Sequence, residues 1–88
     1  MPASSETVRL PPDVDLHARP AASFVRTAMG FDASVDVCVN DRRANAKSLL
    51  AVLGLGARRG STLRLSAEGP DADVALAALV TCVAGLAE

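Results

Sequence analysis

The segment Leu16-His17-Ala18-Arg19-Pro20-Ala21-Ala22 holds the only histidine of the 88-residue chain, with an arginine two positions after it. Pro20 has no backbone N–H to give and fits only in the first turn of a helix, so a helix starting at about His17 or Ala18 is predicted. His17 then sits at the helix mouth, where several backbone N–H groups lack an intrahelical partner. That end carries about half a positive charge and accommodates an anion. The same field disfavours an imidazolium and so favours the neutral, nucleophilic ring. Arg19 adds a fixed guanidinium whose fork matches phosphate oxygens. A nucleophile, an anion pocket and a cation in so short a stretch could hold a phosphoryl group. No carboxylate pair, second histidine or Gly-rich phosphate loop accompanies them, so activation of ATP is not expected. On spacing alone, an ordinary polar helix cap is the other reading of His17, and the commoner one.

The elements that must position this segment follow from periodicity. Residues 7–10 alternate weakly and end at Pro11-Pro12, which predicts a short first strand followed by a loop over 11–17. Ala18, Ala21, Ala22, Val25, Ala28 and Met29 fall on one helical stripe, and Gly30 is a natural stop. Val35, Val37 and Val39 alternate with polar residues as a half-buried strand. Asn40-Asp41-Arg42 then forms a turn, and residues 43–46 return to complete a hairpin. Ser48 precedes a run of leucines and reads as the N-cap of a short second helix, closed by Gly54 and Gly56. Leu63, Leu65 and Ala67 mark another strand. After a turn at Gly69-Pro70-Asp71, the residues Ala72, Ala75, Leu76, Leu79, Cys82, Val83 and Leu86 give a third helical stripe. The order β-α-β-β-α-β-α, with strands wet on one face, predicts an α+β open-faced β-sandwich whose helices cover the other face.

Composition narrows the function classes. The length allows one domain, residues 1–88, with a thin two-layer core. Nine Lys and Arg against ten Asp and Glu give a net charge of −1, which argues against nucleic acid as a partner. Cys38 and Cys82 form no C-x-x-C pair, so neither a metal cage nor a disulfide framework is expected, and both read as packing residues. No apolar run approaches a membrane span, and the first twelve residues lack the pattern of a signal peptide, so a cytoplasmic protein is expected. Seventeen alanines, no isoleucine and eight arginines to one lysine reflect a GC-rich genome rather than any chemistry.

The segment LHARPAA opening a helix, the later segment ANAKSLLAVLGLGARRG and the Ala-rich last helix resemble, in order and spacing, the HPr family of histidine-containing phosphocarriers. The resemblance spans about residues 7–86. It implies a four-stranded antiparallel sheet covered on one face by three helices, and a carrier rather than an enzyme. It further implies phosphorylation of His17 by Enzyme I and transfer to the A components of sugar permeases, with Arg19 stabilising the phosphate and no cofactor required. Ser48 falls where a regulatory kinase acts in some bacteria, though N-capping alone justifies a serine there. Of Leu49, Leu50 and Leu53 in the second helix, a two-layer domain must leave one or two exposed, which would make a docking surface. Arg26, Arg58 and Arg59 could extend positive potential around Arg19 toward acidic partners, in a monomer. A regulatory module acting through Ser48, and a nitrogen-regulatory or dihydroxyacetone-kinase branch of the same relay, are the alternatives. Three features depart from the family: Asp15 where Gly is common, Val14 where a small polar residue is common, and Pro11-Pro12 in the approach loop. Asp15 would set a negative charge beside an incoming phosphate.

Overall fold

The structure is a computed structural model and describes residues 3–87. Four strands form one antiparallel sheet in the order β1-β4-β2-β3, with β1 spanning Ala3–Arg9, β2 Ser34–Val39, β3 Arg42–Asn45 and β4 Thr62–Glu68. The helices α1 (Ala18–Met29), α2 (Leu49–Gly54) and α3 (Ala72–Ala84) pack on the face that carries Leu63, Leu65, Ala67, Val35, Val37 and Val39. The alternate residues Arg64, Asp36 and Cys38 lie on the open face, as the period of two requires. The predicted open-faced sandwich and its element order are observed. No helix among the described residues is long and apolar enough to cross a membrane.

Four boundaries differ from the sequence expectation. β1 begins four residues earlier than predicted and stops at Arg9, one residue before the expected end. Its helix-facing positions, opposite Ala67, Leu65 and Leu63, are Ser4, Glu6 and Val8, so polar residues mask the alternation on this edge strand. β3 is shifted by one residue, because Val39 pairs with Arg42 across a two-residue turn in which Asn40 takes φ 56°, a conformation Asn tolerates. α3 ends at Ala84 rather than at Leu86, where Gly85 interrupts it. In α1 the buried residues are Pro20, Ala21, Phe24, Val25 and Ala28, while Ala18 and Met29 of the predicted stripe are exposed. An Ala-rich helix gives little contrast between faces, and Phe24, with no exposure at all, fixes which one docks.

A carboxylate clip holds the return from α1 to the sheet. Asp71 occupies the N-cap position of α3 but makes no cap bond; its two oxygens accept the N–H groups of Asp32 (2.9 Å) and Ala33 (2.7 Å). Gly69 has φ 141° and approaches so closely that a Cβ there would lie 2.9 Å from Ala33 Cα. Hydrogen bonding to Asp32 N–H, opposed in part by desolvation, holds the Asp71 carboxyl below its ordinary value of 3.8. A carboxyl depressed in the folded state stabilises the fold above the unfolded value and ceases to do so as pH falls through the folded one. Acid titration followed by circular dichroism should therefore show stability falling below about pH 3.8, with a shallower acid limb for Asp71→Asn.

Candidate functional site

The topology brings the histidine segment against the turn before β4. Because β1 and β4 are antiparallel neighbours with Arg9 opposite Thr62, the chain leaving β1 runs beside the chain entering β4. Hydrogen bonds lace the two together. Leu10 N–H donates to Ser61 O (2.9 Å), Gly60 N–H to Pro11 O (3.2 Å) and Leu16 N–H to Ala57 O (2.9 Å). Pro11 therefore serves as an acceptor in this lacing, and Val14 is buried to 1 % exposure, which accounts for an apolar residue there.

His17 is the N-cap residue of α1, with extended backbone at φ −145° and ψ 161°. Leu16 and Pro20 on either side are buried, whereas His17, Ala18 and Arg19 are all exposed. Two anchors thus pin the chain and push three residues outward. Ala18 pays for the bend with φ 47°, a left-handed conformation that costs an L-residue about 1–2 kcal/mol. The His17 N–H donates to Asp15 O (2.9 Å) and Pro20 has none, so the first turn has only Ala18 and Arg19 to present N–H groups at the mouth. That is fewer than periodicity alone suggests, though both adjoin the imidazole.

The ring makes no cap hydrogen bond. Ser48 offers the contrast, since its Oγ accepts from Ala51 N–H at 3.3 Å and caps α2 in the ordinary way. A histidine that occupies a cap position without capping leaves its ring nitrogens available for chemistry.

An open depression beside the ring is lined by Asp15, Leu16, His17, Leu53, Gly56, Ala57 and Arg58. Leu53 is half-buried there, while Leu49 and Leu50 are exposed on α2 at 42 % and 84 %. Two of the three leucines are therefore exposed, as expected, and the third, Leu53, lines the depression beside the histidine. Arg58 joins the site. Arg26 does not: it lies in the last turn of α1, nine residues from His17 and so about 13 Å along the axis. Arg59 is engaged by Asp15, whose Oδ1 accepts its N–H at 2.7 Å and lies 3.6 Å from its Nε. The Asp15–Arg59 contact was not legible in the sequence, since 44 positions separate the two residues. Cys38 lies half-exposed on the open sheet face, and Cys82, on α3, accepts a hydrogen bond from Thr27 Oγ1 at 3.5 Å.

Comparison with known proteins bears on this geometry. The family profile described as "PTS HPr component phosphorylation site" matches residues 4–85. The chain is 49 % identical over 75 residues to a phosphocarrier protein HPr of Haloferax volcanii, covering 83 % of this chain and 84 % of that one. It is 48 % identical over 61 residues, or 69 % of its length, to 7 % of a multiphosphoryl transfer protein of Xanthomonas campestris. Among solved structures, HPr-C-His from Thermoanaerobacter tengcongensis superimposes with a TM-score of 0.88 at 38 % identity, covering 92 % of this chain and 91 % of the other.

Proposed function

The chain belongs to the HPr family, the phosphocarriers of the phosphotransferase system, and we propose on that footing that it carries the phosphoryl group on His17. It is a carrier and not an enzyme. The observation that supports His17 is its exposed ring at the mouth of α1, held outward by buried neighbours and spent on no cap bond. In this reading a ring nitrogen of His17 bonds the phosphorus of phosphorylated Enzyme I as the donor histidine's P–N bond breaks, and the donor imidazole leaves with the proton the His17 ring gives up. The Ala18 and Arg19 N–H groups and the Arg19 guanidinium then stabilise charge on the equatorial oxygens during transfer. Imidazole is a good leaving group, so the stored phosphoryl passes on readily to the A component of a sugar permease. Leu49, Leu50 and Leu53 would supply the dry centre of the docking surface, with Arg19 and Arg58 at its charged rim. Incubation with phosphoenolpyruvate, Mg²⁺ and Enzyme I should place one labelled phosphoryl group on each carrier, and adding the A component should carry label on to it over repeated turnovers. Label reaching the A component equally well without the carrier would refute the role.

Ser48 is a second point of control in this proposal. A phosphate there would meet the positive end of α2 and bring nearly two negative charges to the leucine patch that partners must desolvate. Ser48→Asp should weaken Enzyme I binding in a titration while leaving the thermal midpoint unchanged or raised. Ser48→Ala should cost about 0.5–2 kcal/mol from the lost cap with transfer intact. Normal transfer by Ser48→Asp would reduce the serine to a cap.

A further inference from the structure

We propose that Asp15 is a positioning residue that raises the tendency of the carrier to give up its phosphoryl group: its carboxylate holds the Arg59 guanidinium while His17 is unmodified and loses that guanidinium, though not the Arg59 backbone N–H, to the phosphate once His17 is modified. The proposal rests on His17 as the phosphorylated residue and adds what a neighbouring side chain does to that state.

Three observations carry it. The hydrogen bonds that join Leu10, Pro11 and Leu16 to residues 57–61 run backbone to backbone, whereas Asp15 uses its carboxylate. A neutral backbone pair feels charge arriving nearby only as a dipole; a carboxylate that accepts the Arg59 N–H at 2.7 Å and faces its Nε at 3.6 Å feels it as a full charge. Asp15 also lines the same depression as His17 and Arg58. A phosphoryl group on the ring therefore enters a space whose wall already carries a negative charge. Finally, the Arg59 side chain is 64 % exposed and that of Asp15 39 %, so the guanidinium can re-aim without disturbing the core. The Arg59 N–H bond, together with the nearby guanidinium, holds the Asp15 carboxyl below its ordinary value of 3.8, which keeps it ionised at neutral pH.

Linkage fixes the direction of the effect. If the phosphate weakens the Asp15–Arg59 pair, the pair weakens the phosphate by the same factor. Asp15 then stores the group less tightly than a neutral residue would, which suits a carrier that must pass it on. For partly exposed charges the factor should be about fivefold, the low end of typical coupling between sites.

The first test uses phosphoramidate, a small-molecule donor that needs no protein partner. A His17 nitrogen bonds phosphorus as the donor's P–N bond breaks, and ammonia departs with the proton the ring gives up. Two-dimensional ¹H–¹⁵N NMR of the full chain should show the Arg59 Nε–H resonance moving on phosphorylation in the wild type and much less in Asp15→Asn. A mixture of ¹⁵N-labelled wild type and unlabelled Asp15→Asn, equilibrated with catalytic Enzyme I and limiting phosphoenolpyruvate, should leave about fivefold more phosphoryl on the variant by intact mass. Asp15→Glu, which keeps the charge, should return toward the wild-type share. An equal distribution, or an Arg59 Nε–H resonance that stays in place in the phosphorylated wild type, would overturn the proposal while leaving His17 as the carrier. Absence of phosphoryl from His17 in both proteins would overturn the carrier reading itself, and this proposal with it.

Discussion

His17→Ala should yield a folded protein that takes up no phosphoryl group from phosphoenolpyruvate and Enzyme I. The loss should be complete, because this is the only histidine in the chain and no other residue at the mouth of α1 offers a nitrogen nucleophile at neutral pH. The fold should hardly notice. An N-cap residue matters to stability through the hydrogen bond its side chain accepts, and His17 accepts none. The structural work at this position is done by Leu16 and Pro20, both buried and both retained in the variant. Measured together, acid-labile labelling and a thermal melt should therefore separate: no label, and a midpoint close to wild type. Labelling at the wild-type level would move the carrier site elsewhere. A collapsed midpoint would mean that the imidazole supports the fold after all.

Phe24→Ala should have the largest effect on stability. Phe24 has no exposure and is the largest fully buried side chain of the core, on the helix whose first turn presents His17. Truncating a buried phenylalanine costs about 3–5 kcal/mol in lost transfer free energy and residual cavity. A chain of 88 residues has a total stability of about 4–13 kcal/mol, so the change removes a large share of it. Urea unfolding should show a much lower midpoint with little change in slope. Phosphoryl uptake should fall only as far as the folded fraction falls and recover on adding a stabilising osmolyte. A loss below about 1 kcal/mol would mean that α1 docks through the small residues Ala21 and Ala28 instead.

Much of this was legible in the chain because local rules and the tertiary fold agree. The valines of β2 and the leucines of β4 announce their buried face by strict alternation, and Pro20 marks the start of α1. Ser48 was legible as a cap for the same reason. β1 was only half legible, because an edge strand can place Ser4 and Glu6 toward the helices and remain paired through its backbone. The buried face of α1 was blurred by alanines, which sit as comfortably outside as inside. At the site, the exposure of Leu50 could be argued from the two-layer architecture, whereas the distance of Arg26 from His17 depends on the length and direction of α1. The pairing of Asp15 with Arg59, and the use of Asp71 on the backbone of residues 32 and 33 rather than as a cap, join distant positions. Nothing in the local sequence specifies either, because both arise from strand order.

The most direct test of the central claim is the location of the phosphoryl group. The chain, labelled with ¹⁵N in its histidine ring, should be phosphorylated by Enzyme I and phosphoenolpyruvate and examined by ³¹P and ¹⁵N NMR together with intact mass. The account predicts one added phosphoryl group and a phosphorus–nitrogen coupling to a ring nitrogen of His17. A phosphoryl group found on a serine or threonine oxygen, with the His17 ring unchanged, would contradict it.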